Sequence, residues 1–423
     1  MSQTIQIHGG HTTRTAFFGS ATPFELTSRY GSPLYVYNET ILRQRCREIA
    51  HLVDYERFSV NFSAKSNSNP ALLRIVRSEG LKADAMSPGE ICMDLAAGFT
   101  PDDIFFISNN VSAQEFEFAA DRGVRVSVDS LSQLELFGSV NPGGSVAVRL
   151  NPGVGAGHHK KVVTGGKETK FGIAPEDAET IADICARHRL TLRGINQHIG
   201  SLFMEGDAYL AAAARLLELA EGFGELDFID FGGGFGVPYR KLDGQGRLDL
   251  AELGRGLTAL IRDWTTRTGR KPEIMVEPGR YISAECGVLL GTVHAVKANG
   301  PTHFAGTDLG FNVLARPMLY DSHHDIELHR LGGEPLAEPT PVTVVGNICE
   351  SGDIIARDRM LPAPRENDIL AVLDAGAYGH AMSSNYNLRL RPAEVLVAAD
   401  GSHSLIRRRD SLDDLLAPYR MAV

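Results

Sequence analysis

Between about residues 40 and 280 the chain alternates eight short apolar or β-branched runs with amphipathic stretches, a rhythm that few folds accommodate. The runs fall near 58–62, 82–86, 103–107, 124–128, 145–150, 193–198, 227–231 and 273–277. Stretches such as Ala71-Leu72-Leu73-Arg74-Ile75-Val76 and Ala178-Glu179-Thr180-Ile181-Ala182-Asp183-Ile184 carry helical spacing between them. Helix starts are marked by Asn69-Pro70, by Ser112 and by Asp129 or Ser130. Eight strands separated by helices match a (β/α)8 barrel, although a doubly wound sheet alternates in the same way.

The strand ends separate the two. Lys65 follows the run Arg57-Phe58-Ser59-Val60-Asn61-Phe62, the seventh run leads into Phe231-Gly232-Gly233-Gly234-Phe235-Gly236, and the eighth into Glu277-Pro278-Gly279-Arg280. In a barrel, catalytic groups gather at the C-terminal strand ends, and phosphate often sits on the loops after strands seven and eight. Glycines let successive backbone N–H groups approach an anion closely. The dinucleotide fingerprint GxGxxG fails because Val237 stands where its last glycine would be. A lysine, an anion loop and a carboxylate, all at strand ends, suit an enzyme that holds pyridoxal phosphate (PLP).

Beyond about residue 285 the rhythm changes. Val288–Val293, Pro341–Val345, Ile369–Leu373 and Ala393–Val397 read as strands between Gly/Pro-rich turns, which predicts a mostly β second domain. Residues 1–39 end in the strand-like Leu34-Tyr35-Val36-Tyr37, which could pair with that domain or open the barrel. The expected division is therefore an N-terminal segment (1–39) joining the β domain, a PLP-binding barrel (40–285) and a C-terminal β domain (286–423). The Gly-rich stretch Gly153–Lys161 is expected to be a long loop after the fifth strand, acting as a lid.

A net charge of -10 argues against nucleic acid or an anionic membrane as partner. No apolar run is long enough to span a bilayer, and the N-terminus lacks a basic n-region and an apolar h-region, so a cytoplasmic location is expected. Cys46, Cys92, Cys185, Cys286 and Cys349 are scattered, with no CxxC pair, which reads as reduced thiols without a zinc site. His158-His159-Lys160-Lys161, His323-His324-Asp325 and Arg407-Arg408-Arg409 read as solvated charge, so no metal is expected.

Taken in order, Tyr30–Tyr37, His198-Ile199-Gly200-Ser201, Glu277-Pro278-Gly279-Arg280, Arg316-Pro317-Met318-Leu319-Tyr320, Cys349-Glu350-Ser351-Gly352-Asp353 and Tyr386-Asn387 resemble the diaminopimelate decarboxylases. These are PLP enzymes of the alanine-racemase-like fold, a (β/α)8 barrel joined to a β domain. Two segments depart from the usual pattern: Phe62, Ser63 and Ser66 around Lys65, and Thr307-Asp308-Leu309-Gly310-Phe311-Asn312 in place of an Asp-Ala-Gly form.

The resemblance implies decarboxylation of meso-diaminopimelate to L-lysine, the last step of lysine biosynthesis, in a homodimer with shared active sites. Lys65 would take PLP covalently, Glu277 would face its ring nitrogen and His198 would pack against its ring. Ser201, Gly233, Gly234, Gly236, Gly279, Arg280 and Tyr378 would surround the cofactor. Cys349 would return a proton after carbon dioxide leaves. Arg280, Arg316, Tyr320 and Tyr378 would meet the substrate and its distal carboxylate, and Glu350 its distal ammonium. Rival readings are a decarboxylase of ornithine, arginine or carboxynorspermidine, which lack the need for Arg316 with Tyr320, and a non-catalytic PLP-binding relative. A racemase of this fold would place arginine where Glu277 stands.

Overall fold

The computed structural model describes residues 4–153 and 170–422, which divide into two compact units. One unit comprises 43–237 and 247–282; the other comprises the residues up to 42, 238–246, and those from 283 onward. Most of the expected lid, including His158, His159, Lys160 and Lys161, lies outside the described residues.

The first unit is a closed barrel of eight strands: β1 (Phe58–Ser63), β2 (Lys82–Ala85), β3 (Ile104–Ile107), β4 (Arg125–Val128), β5 (Ser145–Arg149), β6 (Thr191–Asn196), β7 (Phe228–Asp230) and β8 (Glu273–Val276). Each neighbouring pair is parallel, and β8 returns to β1 with Ile274 opposite Phe58, leaving no open edge. That closure excludes the doubly wound sheet.

The intervening helices begin where local chemistry dictates. The Asn69 side chain accepts the N–H of Ala71, with Pro70 in the first helical position. Ser112 and Glu115 close a reciprocal capping box, and Ser130 caps Leu131–Val140 through the N–H of Gln133.

Phe105, Ile107, Ala147, Phe228 and Met275 form one buried cluster, with the rings of Phe105 and Phe228 edge to face at 5.2 Å. Burying each large apolar side chain contributes about 1.5–3 kcal/mol. Polar residues occupy the strand ends instead: Ser63, Asp84, Ser127, Arg149, Asn196 and Asp230 are all buried. Ser127 donates to Asn196 at 2.6 Å, and Ser63 donates to Asp84 at 2.5 Å. Burial of polar groups is costly unless they are paired, so their concentration at the C-terminal ends marks the functional face.

The second unit is built on a ten-stranded sheet. Its main path runs Ile5–His8, Ile326–Leu331, Ile369–Val372, Gly287–Asn299, Thr302–Thr307, Thr340–Val345 and Ile354–Leu361. Leu34–Asn38 pairs antiparallel with Gly287–Asn299 and parallel with Ala393–Val397, so the N-terminal strand belongs to this sheet and does not open the barrel. Phe17, Leu26, Leu34, Val36, Val288, Leu290, Ile369 and Val395 share its core.

Residues 238–246 are tied to the same unit. Lys241 pairs with Glu285 at 3.0 Å and Asp374 at 2.6 Å, and the N–H of Leu242 donates to Asp325 at 2.8 Å. A buried cation flanked by two carboxylates is costly to separate from either. Among the described residues no helix is long and apolar enough to cross a membrane, and no cysteine is in a disulfide.

Candidate active site

Lys65 lies in the single turn Ala64–Ser66 that follows β1, its Nζ 3.8 Å from the sulfur of Met86. Behind it, Asp84 near the end of β2 is fully buried. Burial, opposed by the Lys65 ammonium, pushes the Asp84 carboxyl up to about 7.

The loop after β7 is shaped from both sides. The N–H of Gly232 donates to Asp230 Oδ1 at 2.8 Å, and its carbonyl accepts the N–H of Glu277 at 3.0 Å and the hydroxyl of Tyr209 at 2.8 Å. A side chain at Gly233 would put its Cβ 2.0 Å from the Glu277 carbonyl. Gly234 adopts φ +112°, and a Cβ there would meet the Gly200 carbonyl at 2.6 Å. Gly236 and Gly279 complete this surface, Gly279 lying against Ser63 and Ser66. The result is a strand-end loop that lies close against Glu277, Gly200 and Phe203 because no Cβ intervenes.

Glu277, just past β8, is 3% exposed. Its Oε2 stands 3.6 Å from His198 Nδ1, while Oε1 has no hydrogen-bond donor. Burial alone would raise this carboxyl; His198, Lys65 and a hydrogen bond with Asp230 outweigh it and hold Glu277 below the ordinary carboxylate range. His198 Nδ1 also accepts the N–H of Gly233 at 3.2 Å. Burial pushes the His198 imidazole below its usual range, against the opposing pull of the Glu277 carboxylate. Ser201 Oγ receives Arg280 Nη2 at 2.9 Å and Nε at 3.3 Å, so these two expected residues meet directly.

The barrel unit therefore brings together Lys65, His198, Ser201, Gly233, Gly234, Gly236, Glu277, Gly279 and Arg280. The remaining expected residues, Arg316, Tyr320, Cys349, Glu350 and Tyr378, belong to the β unit. Arg316 opens the short helix Arg316–Tyr320, is 1% exposed, and lies 4.5 Å over the Tyr239 ring. Cys349 is exposed, its N–H held by Asn387 Oδ1 at 3.0 Å, and Glu350 accepts the Tyr386 hydroxyl at 2.7 Å. Asp353 fixes the turn by accepting the N–H groups of Phe311 and Ile348, both at 2.7 Å. Tyr378 holds φ +55°, a conformation that bulky residues rarely adopt outside functional or tightly constrained sites.

Several residues of this arrangement were not expected from the sequence. Asp84, Asp230 and Arg149 each sit at a strand end, where an isolated charge gives no signal of burial. Arg149, at the end of β5, reaches the His198 carbonyl at 3.5 Å. The reading of His323-His324-Asp325 as solvated is corrected: His324 is 1% exposed because it partners Arg316 at 2.7 Å. Among the described residues Asp243, His323 and Asp325 bring possible metal ligands within 4.8 Å of one another. The Arg359 guanidinium, 2.7 Å from the same His323 ring, opposes a cation there.

The barrel residues fit PLP. A lysine amine can take its aldehyde, the glycine-rich turn is the kind that holds a phosphate, and Glu277 offers a protonated ring nitrogen a buried carboxylate. Comparison with known proteins agrees. Residues 39–284 match the family model "Pyridoxal-dependent decarboxylase, pyridoxal binding domain". The diaminopimelate decarboxylase of Methanothermobacter thermautotrophicus is 42% identical, covering 94% of this chain and 94% of that protein. The enzyme of Escherichia coli K12 is 38% identical over 93% of this chain and 94% of its own. The crystal structure of diaminopimelate decarboxylase from Helicobacter pylori complexed with L-lysine superposes with a TM-score of 0.86 at 29% identity, covering 95% and 100% of the two chains. A sequence alike over nearly its full length to several such enzymes, and folded as they are, belongs to the diaminopimelate decarboxylase family of PLP-dependent decarboxylases.

Proposed function

We propose that this chain removes one carboxylate of meso-diaminopimelate as carbon dioxide and leaves L-lysine, with Lys65 as the attachment point for PLP. The observation that carries this reading is Glu277: a buried carboxylate held below its ordinary range, beside the glycine loop and near Lys65. Bound PLP supplies an electron sink for the pair released when the bond between Cα and the carboxylate breaks. Glu277, as an anion, keeps a proton on the ring nitrogen and so keeps that sink deep. His198, 3.6 Å from Glu277, would pack against the ring.

Cys349 then donates its thiol proton to Cα on one face. Arg316 takes the distal carboxylate, with Arg280, Tyr320 and Tyr378 beside the substrate, and Glu350 takes the distal ammonium. A substrate carrying both charges at its far end accounts for both signs in this set. Ornithine and arginine have no distal carboxylate for Arg316 to take.

Cys349 and Glu350 are exposed in a single chain, and so are Met318, Tyr386 and Leu388 near them in sequence or contact. Exposed apolar side chains beside polar groups of this kind support a subunit contact. We propose a cytoplasmic homodimer, without nucleic acid or membrane, in which Cys349 and Glu350 complete the partner's barrel site. The proposed division stays close to 1–39, 40–285 and 286–423, with residues 238–246 grouped with the β domain.

Release of carbon dioxide from meso-diaminopimelate, lysine, ornithine and arginine, measured side by side, tests the substrate. Diaminopimelate is expected to react far faster than the other three; a preference for ornithine would reject the reading.

A further inference from the structure

Asp230 ends β7, is fully buried, and takes no part in the chemistry above. One of its oxygens accepts the N–H of Gly232 at 2.8 Å; the other, Oδ2, has no hydrogen-bond donor. Glu277 is its neighbour across Gly232, whose carbonyl accepts the Glu277 N–H at 3.0 Å, and one Glu277 oxygen, Oε1, likewise has no donor within the described residues. Gly232 is thus bracketed, its N–H held by the Asp230 side chain and its carbonyl by the Glu277 backbone. Two buried carboxylates cannot face one another without a proton between them.

The surroundings decide which group holds that proton. Glu277 faces His198 and the Lys65 ammonium, and it lies in the field of Arg149. Asp230 has only the Gly232 amide in its favour, with Asp84, Glu277 and the Tyr209 phenol around it. Resting on the reading that Glu277 serves the PLP ring nitrogen, we propose that Asp230 is a positioning residue that stays protonated. It donates to Glu277, keeps Glu277 anionic and aimed, and with its other oxygen fixes the first amide of the phosphate loop. One side chain would then couple the ring-nitrogen partner to the phosphate cradle. Burial and the neighbouring Glu277 anion both push the Asp230 carboxyl well above its ordinary range, in keeping with that assignment.

The amide of asparagine reproduces this role, with its oxygen accepting from Gly232 and its NH2 donating to Glu277. The test compares wild type, Asp230→Asn, Asp230→Ala and Glu277→Gln by titrating PLP into each apoprotein and by kcat between pH 6 and 9. Asp230→Asn is expected to stay within about threefold of wild type in both. Asp230→Ala should weaken PLP binding by about tenfold or more, the scale of one buried group left unsatisfied. Glu277→Gln should still take up PLP while kcat falls at least about a hundredfold. Asp230→Asn as damaged as Asp230→Ala, with Glu277→Gln tolerated, would put the proton on Glu277 and overturn the proposal. An undamaged Asp230→Ala would make Asp230 a bystander.

A second arm needs no cofactor. A carboxyl that binds a proton only when folded makes wild-type apoprotein lose stability as pH rises, whereas Asp230→Asn lacks this loss. The difference in melting temperature should therefore widen in favour of Asp230→Asn from pH 5 to 9, and a constant difference would reject a protonated Asp230. If wild type takes up no PLP at Lys65, the reading of the site fails, and this arm still tests the proton on Asp230.

Discussion

His324 accepts the Arg316 guanidinium at Nε2, 2.7 Å away, while its Nδ1–H donates to the Leu373 carbonyl at 2.8 Å. The second bond fixes the tautomer that can receive the first. A guanidinium held this way, with Tyr239 under its plane, loses little freedom when it meets a carboxylate. His324→Ala should therefore raise KM for diaminopimelate by about tenfold, one buried hydrogen bond to a charged group, and change kcat less. Steady-state kinetics checks this; equal losses in kcat and kcat/KM would show that His324 acts elsewhere.

Removing Arg316 itself should cost more. Arg316→Ala is expected to lower kcat/KM for diaminopimelate by about 2–5 kcal/mol, the scale of a desolvated charge pair left single. Lysine does not restore a planar two-donor fork, so Arg316→Lys should recover only part of this. Unchanged diaminopimelate kinetics in Arg316→Ala would remove the distal-carboxylate role.

The purified protein should be yellow, and Lys65→Ala should abolish the visible band, because a lysine amine is the side chain that bonds PLP's aldehyde. Borohydride followed by peptide mapping reports the site. Reduced cofactor on another lysine would sink the assignment.

These sites were legible in the sequence to different degrees, for physical reasons. β1 to β8 stood out because each is a short β-branched or apolar run ending in a turn signal, and Gly232–Gly236 because few backbones need so many glycines together. Strands Thr302–Thr307, Ile354–Leu361 and His403–Arg407 did not, since each carries polar side chains and exposes part of its length. Asp84 and Asp230 were invisible because an isolated aspartate within a short strand run does not show which way it faces. Only the closed barrel turns them inward, and only there do they meet Lys65 and Glu277. His324 was misread because adjacent histidines give no hint that one of them faces a buried arginine.

Asp94 gives a pH prediction. It lies in the helix Pro88–Ala97, fully buried, and neither carboxylate oxygen has a hydrogen-bond partner. Burial, then the nearby Asp84 and Glu90, pushes its carboxyl up to about 8. An unfolded aspartate titrates near ~3.9. The folded state therefore holds an extra proton between those values: stability is full at low pH, declines as pH rises, and levels off above about 8. Asp94→Asn should flatten that decline by an amount on the order of 3–5 kcal/mol between pH 4 and 9. Urea unfolding at several pH values measures it, and parallel curves for wild type and variant would contradict a protonated Asp94.

The proposed subunit-shared site makes the last prediction quantitative. Lys65 belongs to the barrel unit, and Cys349 to the β unit. If Cys349 serves the partner's barrel, a two-fold dimer contains two equivalent composite sites. Lys65→Ala and Cys349→Ala chains, each nearly inactive alone, are mixed and refolded in equal amounts. About half the dimers become mixed by random pairing, and each mixed dimer has one site with both defects and one with neither. Roughly a quarter of wild-type activity should return, by the same symmetry. Sites contained within one chain would give no rescue at any mixing ratio. With subunit exchange verified by mass-tagged chains, a flat zero would therefore exclude the shared site, whereas recovery near a quarter requires that each working centre draw Lys65 from one protomer and Cys349 from its partner.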